Sequence, residues 1–166
     1  MVARAEVLRG AWAWGAVCLL AACHGSTGAP GDCALPQGGV YATFRMPATP
    51  PPVERSAEEF HVWLTSSEGI SSAIDAWQGR TAAHIPAGFV VCAPAKWNCG
   101  WVWHFDPATV KVVESSIELC DGGPPHNVAE CQSLIDNVGG QFCPWSAQFI
   151  DLRDCRGDAS CPAMPH

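Results

Sequence analysis

The chain has 166 residues and a formal net charge of −7, with nine lysines and arginines against sixteen aspartates and glutamates. A chain of this length corresponds to about one domain. The acidic balance excludes nucleic acid as an expected partner, because phosphate contacts require clustered cations.

The first residues have the form of a bacterial signal peptide. Arg4 and Arg9 precede an apolar run over residues 11–22, and this run is shorter than the roughly 20 residues of a membrane-spanning helix. It ends in Leu20-Ala21-Ala22-Cys23, which resembles the lipobox of bacterial lipoproteins. The pattern predicts a lipoprotein signal peptide over residues 1–22 and lipidation of Cys23.

Lipidation of Cys23 predicts a location and a first partner. Two or three acyl chains give stable anchoring, so we expect a lipid-anchored protein of the bacterial cell envelope, with the membrane as its partner. His24 stands where an aspartate is typical of inner-membrane retention, and its presence favours the outer membrane. The alternative is a secreted protein cleaved after Ala22 or near Ala29, with Cys23 an ordinary cysteine.

Eight cysteines remain when Cys18 and Cys23 are set aside, and an even number in an exported chain indicates up to four disulfides. The eight are Cys33, Cys92, Cys99, Cys120, Cys131, Cys143, Cys155 and Cys161. Sequence proximity favours Cys155–Cys161 and Cys92–Cys99 as local loops and Cys120–Cys143 as a longer one. No Cys-x-x-Cys motif and no zinc spacing of cysteine and histidine occur, so we expect no metal and no cofactor.

The segment 23–39 is rich in glycine, serine, threonine and proline, which predicts a flexible tether between the lipid and the domain. Cys33 is placed to pin the far end of this tether to the fold. We expect a single domain over residues 40–166, beginning with a strand at Val40–Met46. The proline run that follows, over residues 47–52, predicts an exposed loop, with binding to a proline-recognising partner as the alternative.

The next elements are a strand and a helix. Apolar and polar residues alternate over Phe60–Leu64, which predicts a half-buried strand. Thr65 and Glu68 have the spacing of a capping box, and the apolar residues that follow recur at helical intervals. Gly79 is placed to end this helix.

A hairpin and a further strand follow the first helix. Phe89–Cys92 and Trp101–Phe105 are predicted to pair, with Cys92 and Cys99 near the closed end. Residues Thr109–Leu119 alternate in part and predict another strand. The adjacent apolar residues Val112 and Val113 predict a bulge within it.

The second helix has the clearest signals in the chain. Asn127 is placed to cap it, with Glu130 at the third position, and the pair Gly139-Gly140 closes it. Its expected buried stripe consists of Val128, Cys131, Leu134, Ile135 and Val138.

A final strand is expected over Trp145–Leu152, followed by a tail held by Cys161. Two helices among five or six short strands predict the α+β class. We therefore expect a small, largely antiparallel sheet with two helices, stabilised by disulfides.

Three tryptophans around the predicted hairpin are candidates for ligand binding. Trp101 and Trp103 share a face if their segment is a strand, and paired indoles can stack on a sugar ring or hold an apolar peptide. The alternative is that this face belongs to the core. Trp97 lies in the connecting loop and is the better candidate for an exposed ligand contact.

His104 and Asp106 lie on either side of Phe105 and are the candidate acid–base pair. No nucleophile motif accompanies them. The alternative is that Asp106 caps the turn at Pro107 while His104 bonds to the backbone. We therefore assign no catalytic residue and name His104 and Asp106 only as candidate binding residues.

Short motifs in a fixed order resemble a known domain family. A Trp-x-aromatic-His-aromatic-Asp-Pro segment spans residues 101–107, Cys-Asp stands at 120–121, Val-Gly-Gly at 138–140 and Cys-Pro-Trp-Ser at 143–146. Together they resemble the small domain at the amino terminus of a calmodulin-binding protein, which also stands alone as an exported bacterial domain. The resemblance covers roughly residues 40–152 and implies one α+β domain with Cys120 paired to Cys143. It implies no catalytic residue, and calmodulin binding is not carried over.

These observations favour a non-catalytic binding module for a protein or a glycan, tethered to the cell envelope. One alternative is a small envelope hydrolase that uses His104 and Asp106. Another is a protease inhibitor that presents the loop 93–98, clamped by a Cys92–Cys99 disulfide.

Overall fold

A computed structural model describes residues 33–48 and 58–166. Its strands are β1 (Val40–Met46), β2 (Glu58–Leu64), β3 (Ile85–Val91), β4 (His104–Phe105), β5 (Lys111–Val113), β6 (Gln141–Phe142) and β7 (Gln148–Asp154), and its helices are α1 (Ser67–Trp77) and α2 (Val128–Val138). The expected signal peptide, Cys23, the tether up to residue 32 and the proline run from residue 49 lie outside the described residues.

The strands form two antiparallel sheets. In the first sheet β1 lies between β2 and β7. In the second sheet β3 pairs with the short strands β4, β5 and β6. The two helices, the antiparallel sheets and the four disulfides confirm the α+β, disulfide-stabilised class.

The core is aromatic and joins the two sheets. Phe60 of the first sheet lies with its ring centroid 5.7 Å from that of Trp103 and 6.3 Å from that of Phe105. Trp103 and Phe105 also contact Phe142 of β6. Every strand of the first sheet contributes alternate residues to this cluster, because successive side chains of a strand point to opposite faces.

Both helices begin at side-chain caps. Ser66 caps α1 by accepting a hydrogen bond from the amide of Gly69 at 3.1 Å, so the prediction that Thr65 starts the capping box was one residue early. Asn127 caps α2 as predicted, accepting from the amide of Glu130 at 2.9 Å. The expected stripe on α2 was too wide: within it only Cys131 is buried, since the helix touches the sheet along one narrow line.

Several strands differ from their predicted extent. The segments predicted at Trp101–Phe105 and Thr109–Leu119 shorten to β4 and β5, and the strand expected from Trp145 begins at Gln148. The pairing of β5 with β3 is continuous through Val112 and Val113, so the predicted bulge is not there. Partners exist for only two or three residues of β4 and β5, and alternation alone does not reveal where a partner strand ends.

The disulfides are Cys33–Cys99, Cys92–Cys131, Cys120–Cys143 and Cys155–Cys161. Two predicted pairs are therefore confirmed, and Cys92–Cys99 was wrong. In the hairpin register Val91 is opposite His104, so the chain position opposite Cys92 belongs to Trp103 and not to Cys99. Cys92 instead meets α2, and Cys99 pins the incoming chain at Cys33, as expected for that residue.

Candidate functional site

The predicted tryptophan face belongs largely to the core. Trp103 has no exposed surface. Trp101 is half-buried, lies edge-on to Trp103 with ring centroids 5.8 Å apart, and donates from Nε1 to the carbonyl of Glu59 at 2.8 Å. Trp97 is also half-buried, with its ring 5.3 Å from that of His104. These three rings hold the hairpin to the first sheet and do not form an open stacking platform.

The structure places His104 and Asp106 in separate backbone contacts. The Nδ1 atom of His104 lies 2.8 Å from the carbonyl oxygen of Ala93, and this nitrogen carries the proton because a carbonyl only accepts. The carboxylate of Asp106 accepts from the amide of Ala108 at 3.0 Å. Both side chains therefore stabilise their own turns, which is the alternative that the sequence left open.

The loop 93–98 is held differently from the inhibitor hypothesis. The disulfides at its two ends lead to Cys131 and Cys33, so no single bond clamps the loop. Asn98 is fully buried within it, accepting from the amide of His61 at 2.8 Å and donating to the carbonyl of Trp103 at 2.9 Å. The premise of a short disulfide-closed loop is therefore wrong.

A concave surface lies on the outer face of the first sheet, opposite the core. We call it the sheet groove, and its volume is about 320 Å³. It is lined by Cys33, Leu35, Tyr41, Thr43, Arg45, Glu59, His61, Ile150, Asp151 and Arg153.

The floor of the sheet groove is formed by three nearly buried side chains. Tyr41 is 4%, Thr43 6% and His61 6% exposed. The ring of His61 stacks on that of Tyr41 with centroids 5.2 Å apart, and its Nδ1 lies 3.2 Å from the hydroxyl of Thr43. The Tyr41 hydroxyl donates to the carbonyl of Trp97 at 2.9 Å, which fixes the ring.

Two arginine–carboxylate pairs form the walls. Arg45 donates from Nε to Glu59 across the β1–β2 pair at 3.0 Å, and Arg153 donates from Nε to Asp151 along β7 at 2.9 Å. These charges are partly exposed, with 29–45% of each side chain accessible. The walls therefore present both charge signs and hydrogen-bond donors and acceptors to an incoming group.

A bulge in β7 shapes one wall. Thr43 pairs with Asp151 and Phe44 with Phe149, so Ile150 is an extra residue without a partner on β1. A bulge re-aims the side chains of its strand. Phe149 thus faces the core, while Ile150 and Asp151 both line the groove.

Burial of the floor changes the acid–base behaviour of Tyr41. Removal from water raises the pKa of this phenol well above its ordinary value of 10.0, while Arg153 lowers it in part. The phenol therefore stays neutral and acts as a hydrogen-bond donor throughout the physiological range.

Thr43, His61 and Asp151 lie side by side across three strands, but not in the order of a catalytic triad. Thr43 is in register with both of the others, so His61 and Asp151 are separated by two strand spacings, about 10 Å. A triad requires the carboxylate to orient the histidine directly. The floor is suited to holding a ligand by hydrogen bonds and not to activating the threonine.

Sequence reasoning missed this site because its residues come from three distant segments. Alternation placed His61 on the side of β2 away from the core, and this was the one available signal. Neither the bulge at Ile150 nor the approach of Cys33 and Leu35 leaves a local pattern in the sequence.

Within residues 33–48 and 58–166, no cluster of three or more histidine, cysteine or acidic residues is arranged to hold a metal ion. The same residues contain no helix long and apolar enough to cross a membrane.

The fold and its four cross-links define a small, disulfide-stabilised α+β domain with a polar groove on one sheet. The chain matches the family described as the BP-74 N-terminal domain over residues 41–155, and it belongs to that family. This confirms the resemblance drawn from the tryptophan-rich and Cys-Pro-Trp-Ser motifs. No curated protein and no solved structure matches the chain.

Proposed function

We propose that the protein is a lipid-anchored lipoprotein of the bacterial cell envelope whose domain is a non-catalytic binding module for a protein or a glycan. Residues 1–22 act as the signal peptide in this proposal, and Cys23 carries the lipid, in the outer membrane. The observation that carries the binding role is the sheet groove, a concave site with a fixed polar floor and charged walls.

The chemistry of the sheet groove supports a polar, largely neutral ligand group. Each arginine of the walls is paired with a carboxylate, so the groove has little net charge with which to attract a simple ion. Hydroxyl, amide and carbonyl groups of a peptide or a saccharide match the donors and acceptors on the walls. Ligand sites of this kind combine an apolar lining with a few fixed polar groups, and Leu35 and Ile150 supply the apolar part.

The disulfide Cys33–Cys99 supports the membrane arrangement. Ten residues separate Cys23 from Cys33, and a fully extended chain of that length reaches at most about 36 Å. The lipid would therefore keep the sheet groove close to the membrane, since Cys33 lies on its rim.

The binding role is tested with a panel of purified envelope glycans and envelope-protein peptides. We expect at least one ligand whose dissociation constant rises about tenfold in Arg153→Gln, because a hydrogen bond to a charged group contributes about 1.5–3 kcal/mol. Arg80→Gln is the matched control, since Arg80 forms the same kind of ion pair with Asp75 on α1, outside the groove. Equal affinity of wild type and Arg153→Gln for every ligand found would remove the groove from the proposal.

The anchor is tested separately by membrane fractionation. Cys23→Ala is expected to release the protein from the membrane fraction and to abolish incorporation of labelled fatty acid. Cys18→Ala is the control, since it also removes a cysteine near the amino terminus but leaves the lipobox intact. A Cys23→Ala protein that stays in the membrane fraction would contradict lipid anchoring without affecting the test of the groove.

A further inference from the structure

The described residues contain six tryptophans, and only one of them is more than about a third exposed. Trp145 has 39% of its surface accessible, whereas Trp63, Trp77 and Trp103 are buried and Trp97 and Trp101 are half-buried. An exposed indole loses the favourable burial that the other five gain. Its position beside a cleft therefore gives reason to look for a ligand there.

We call the space beside Trp145 the tryptophan cleft, with a volume of about 340 Å³. It is lined by His84, Ile85, Glu114, Ser115, Ser116 and Trp145. Strand order brings these residues together: β5 and β6 both run antiparallel to β3, so their ends meet its beginning. The tryptophan cleft shares no lining residue with the sheet groove.

The indole is held on a cross-linked support. The amide of Trp145 donates to the carboxylate of Asp121 at 2.8 Å, and the amide of Cys143 donates to the carbonyl of Cys120 at 2.8 Å. The disulfide Cys120–Cys143 joins the same two segments. A rigid aromatic side chain loses little conformational entropy when it binds a ligand.

The opposite wall of the cleft is polar. The Nδ1 atom of His84 lies 3.0 Å from the carbonyl oxygen of Ala82 and must carry its proton there, which leaves Nε2 of the neutral ring as an acceptor. Glu114 accepts from the amide of Ala82 at 3.3 Å through one carboxylate oxygen. Ser115 and Ser116 add two hydroxyl groups, each able to donate and accept.

We propose that the tryptophan cleft is a saccharide-binding site, with Trp145 stacking on a pyranose ring and Glu114 accepting from its hydroxyl groups. The apolar face of a sugar fits an indole, while its equatorial hydroxyls need acceptors and donors at the ring edge, which the opposite wall provides. Glu118 and Asp121 lie on the same segment as the support and make an anionic ligand unfavourable. The ligand is therefore a neutral sugar.

The test uses the purified, isotope-labelled protein and a panel of neutral tri- and tetrasaccharides of glucose, mannose, galactose, xylose and N-acetylglucosamine. We expect at least one to shift the indole N–H resonance of Trp145 together with the amides of Ser115 and Ser116. In Trp145→Ala the dissociation constant should rise at least about tenfold. If no member of the panel perturbs Trp145 at millimolar concentration, the proposal is overturned.

Two further variants keep the result interpretable. Glu114→Gln leaves the Cys143–Trp145 segment untouched and should weaken binding about tenfold, so it decides the matter if Trp145→Ala does not fold. Leu119→Ala is the control, since Leu119 is 69% exposed and does not line the cleft. Saccharide binding that survives both Trp145→Ala and Glu114→Gln, or that Leu119→Ala abolishes, contradicts the proposal and indicates an apolar docking surface for a protein.

Discussion

Tyr41 is the only tyrosine of the chain, which makes the floor of the sheet groove directly observable. Its ring is buried against His61, its hydroxyl donates to Trp97, and burial raises its pKa above the ordinary value of 10.0. A phenol whose pKa is higher in the folded state stabilises the fold fully below the unfolded value. That stabilisation is lost as the pH rises towards the folded value.

An absorbance titration of tyrosinate tests this description. Native protein should show no tyrosinate near pH 10, and the signal should appear only together with alkaline unfolding. In Tyr41→Phe the tyrosinate signal is absent, and the alkaline loss of stability should begin at a higher pH. A reversible tyrosinate titration near pH 10 in protein that stays folded would show that the phenol is accessible to water.

Asn98 connects three segments at residue scale. Its fully buried amide group bonds to the backbone of His61 in β2 and of Trp103 before β4. In Asn98→Ala both backbone groups stay buried without these partners, and the free energy of unfolding should fall by about 3 kcal/mol. Urea denaturation measures the difference, with the exposed helical Asn137→Ala as control; a loss below about 1 kcal/mol would mean that water replaces the amide.

At the scale of elements, Gly69 shows how packing overrides helix propensity. It lies in the first turn of α1, and a side-chain carbon added there would collide with the carbonyl oxygen of Val110. Propensity alone predicts that Gly69→Ala stabilises the helix by about 1 kcal/mol, whereas overpacking costs about 1–3 kcal/mol. We expect net destabilisation.

Thermal unfolding compares Gly69→Ala with Gly157→Ala. Around Gly157 an added side-chain carbon meets nothing within 4 Å, so this control should be neutral or slightly more stable. A gain in stability in Gly69→Ala would show that α1 is free to move away from the chain at Val110.

The disulfide Cys33–Cys99 closes the longest loop of the four, with a sequence separation of 66. Chain entropy alone gives such a cross-link about 4 kcal/mol, against about 2 kcal/mol for a six-residue loop such as Cys155–Cys161. The double variant Cys33→Ser/Cys99→Ser should therefore lower the urea midpoint more than Cys155→Ser/Cys161→Ser does. An equal or reversed order would place the stabilising effect in native-state contacts instead of chain entropy.

The elements that the sequence predicted well are those with local signals. The strand β1 and the capped helix α2 have their patterns within a dozen residues, and both lie where they were expected. The short strands β4 and β5 were overextended because their ends depend on how many residues of β3 face them. The Cys92–Cys99 pair failed for the same reason, since proximity in the chain says nothing of the helix that brings Cys131 to Cys92.

The candidate site was harder to predict than the fold. Aromatic residues two apart predict a shared face, but not whether another sheet covers it, and Phe60 and Phe142 cover Trp103. The sheet groove depends on cross-strand neighbours and on a bulge. Trp145 is the most exposed of the six described tryptophans, yet the local pattern predicts only the start of a strand there.

At the scale of the whole molecule, the two sheets divide the work. The inner faces share one aromatic core, which leaves the outer face of the first sheet for polar side chains. The chain reaches this face at Cys33, so the proposed lipid and the groove lie on the same part of the molecule. The domain would thus present its ligand site near the membrane that holds it.

The most direct test of the binding role is a chemical-shift map of the protein with the strongest ligand from the glycan and peptide panel. We expect the largest shifts on Thr43, His61, Asp151 and Arg153, which span the three strands of the groove. In Asp151→Asn these shifts should need a higher ligand concentration. Shifts confined to residues outside the sheet groove, or no ligand in the panel that shifts it, would contradict the claim that this groove is the functional site.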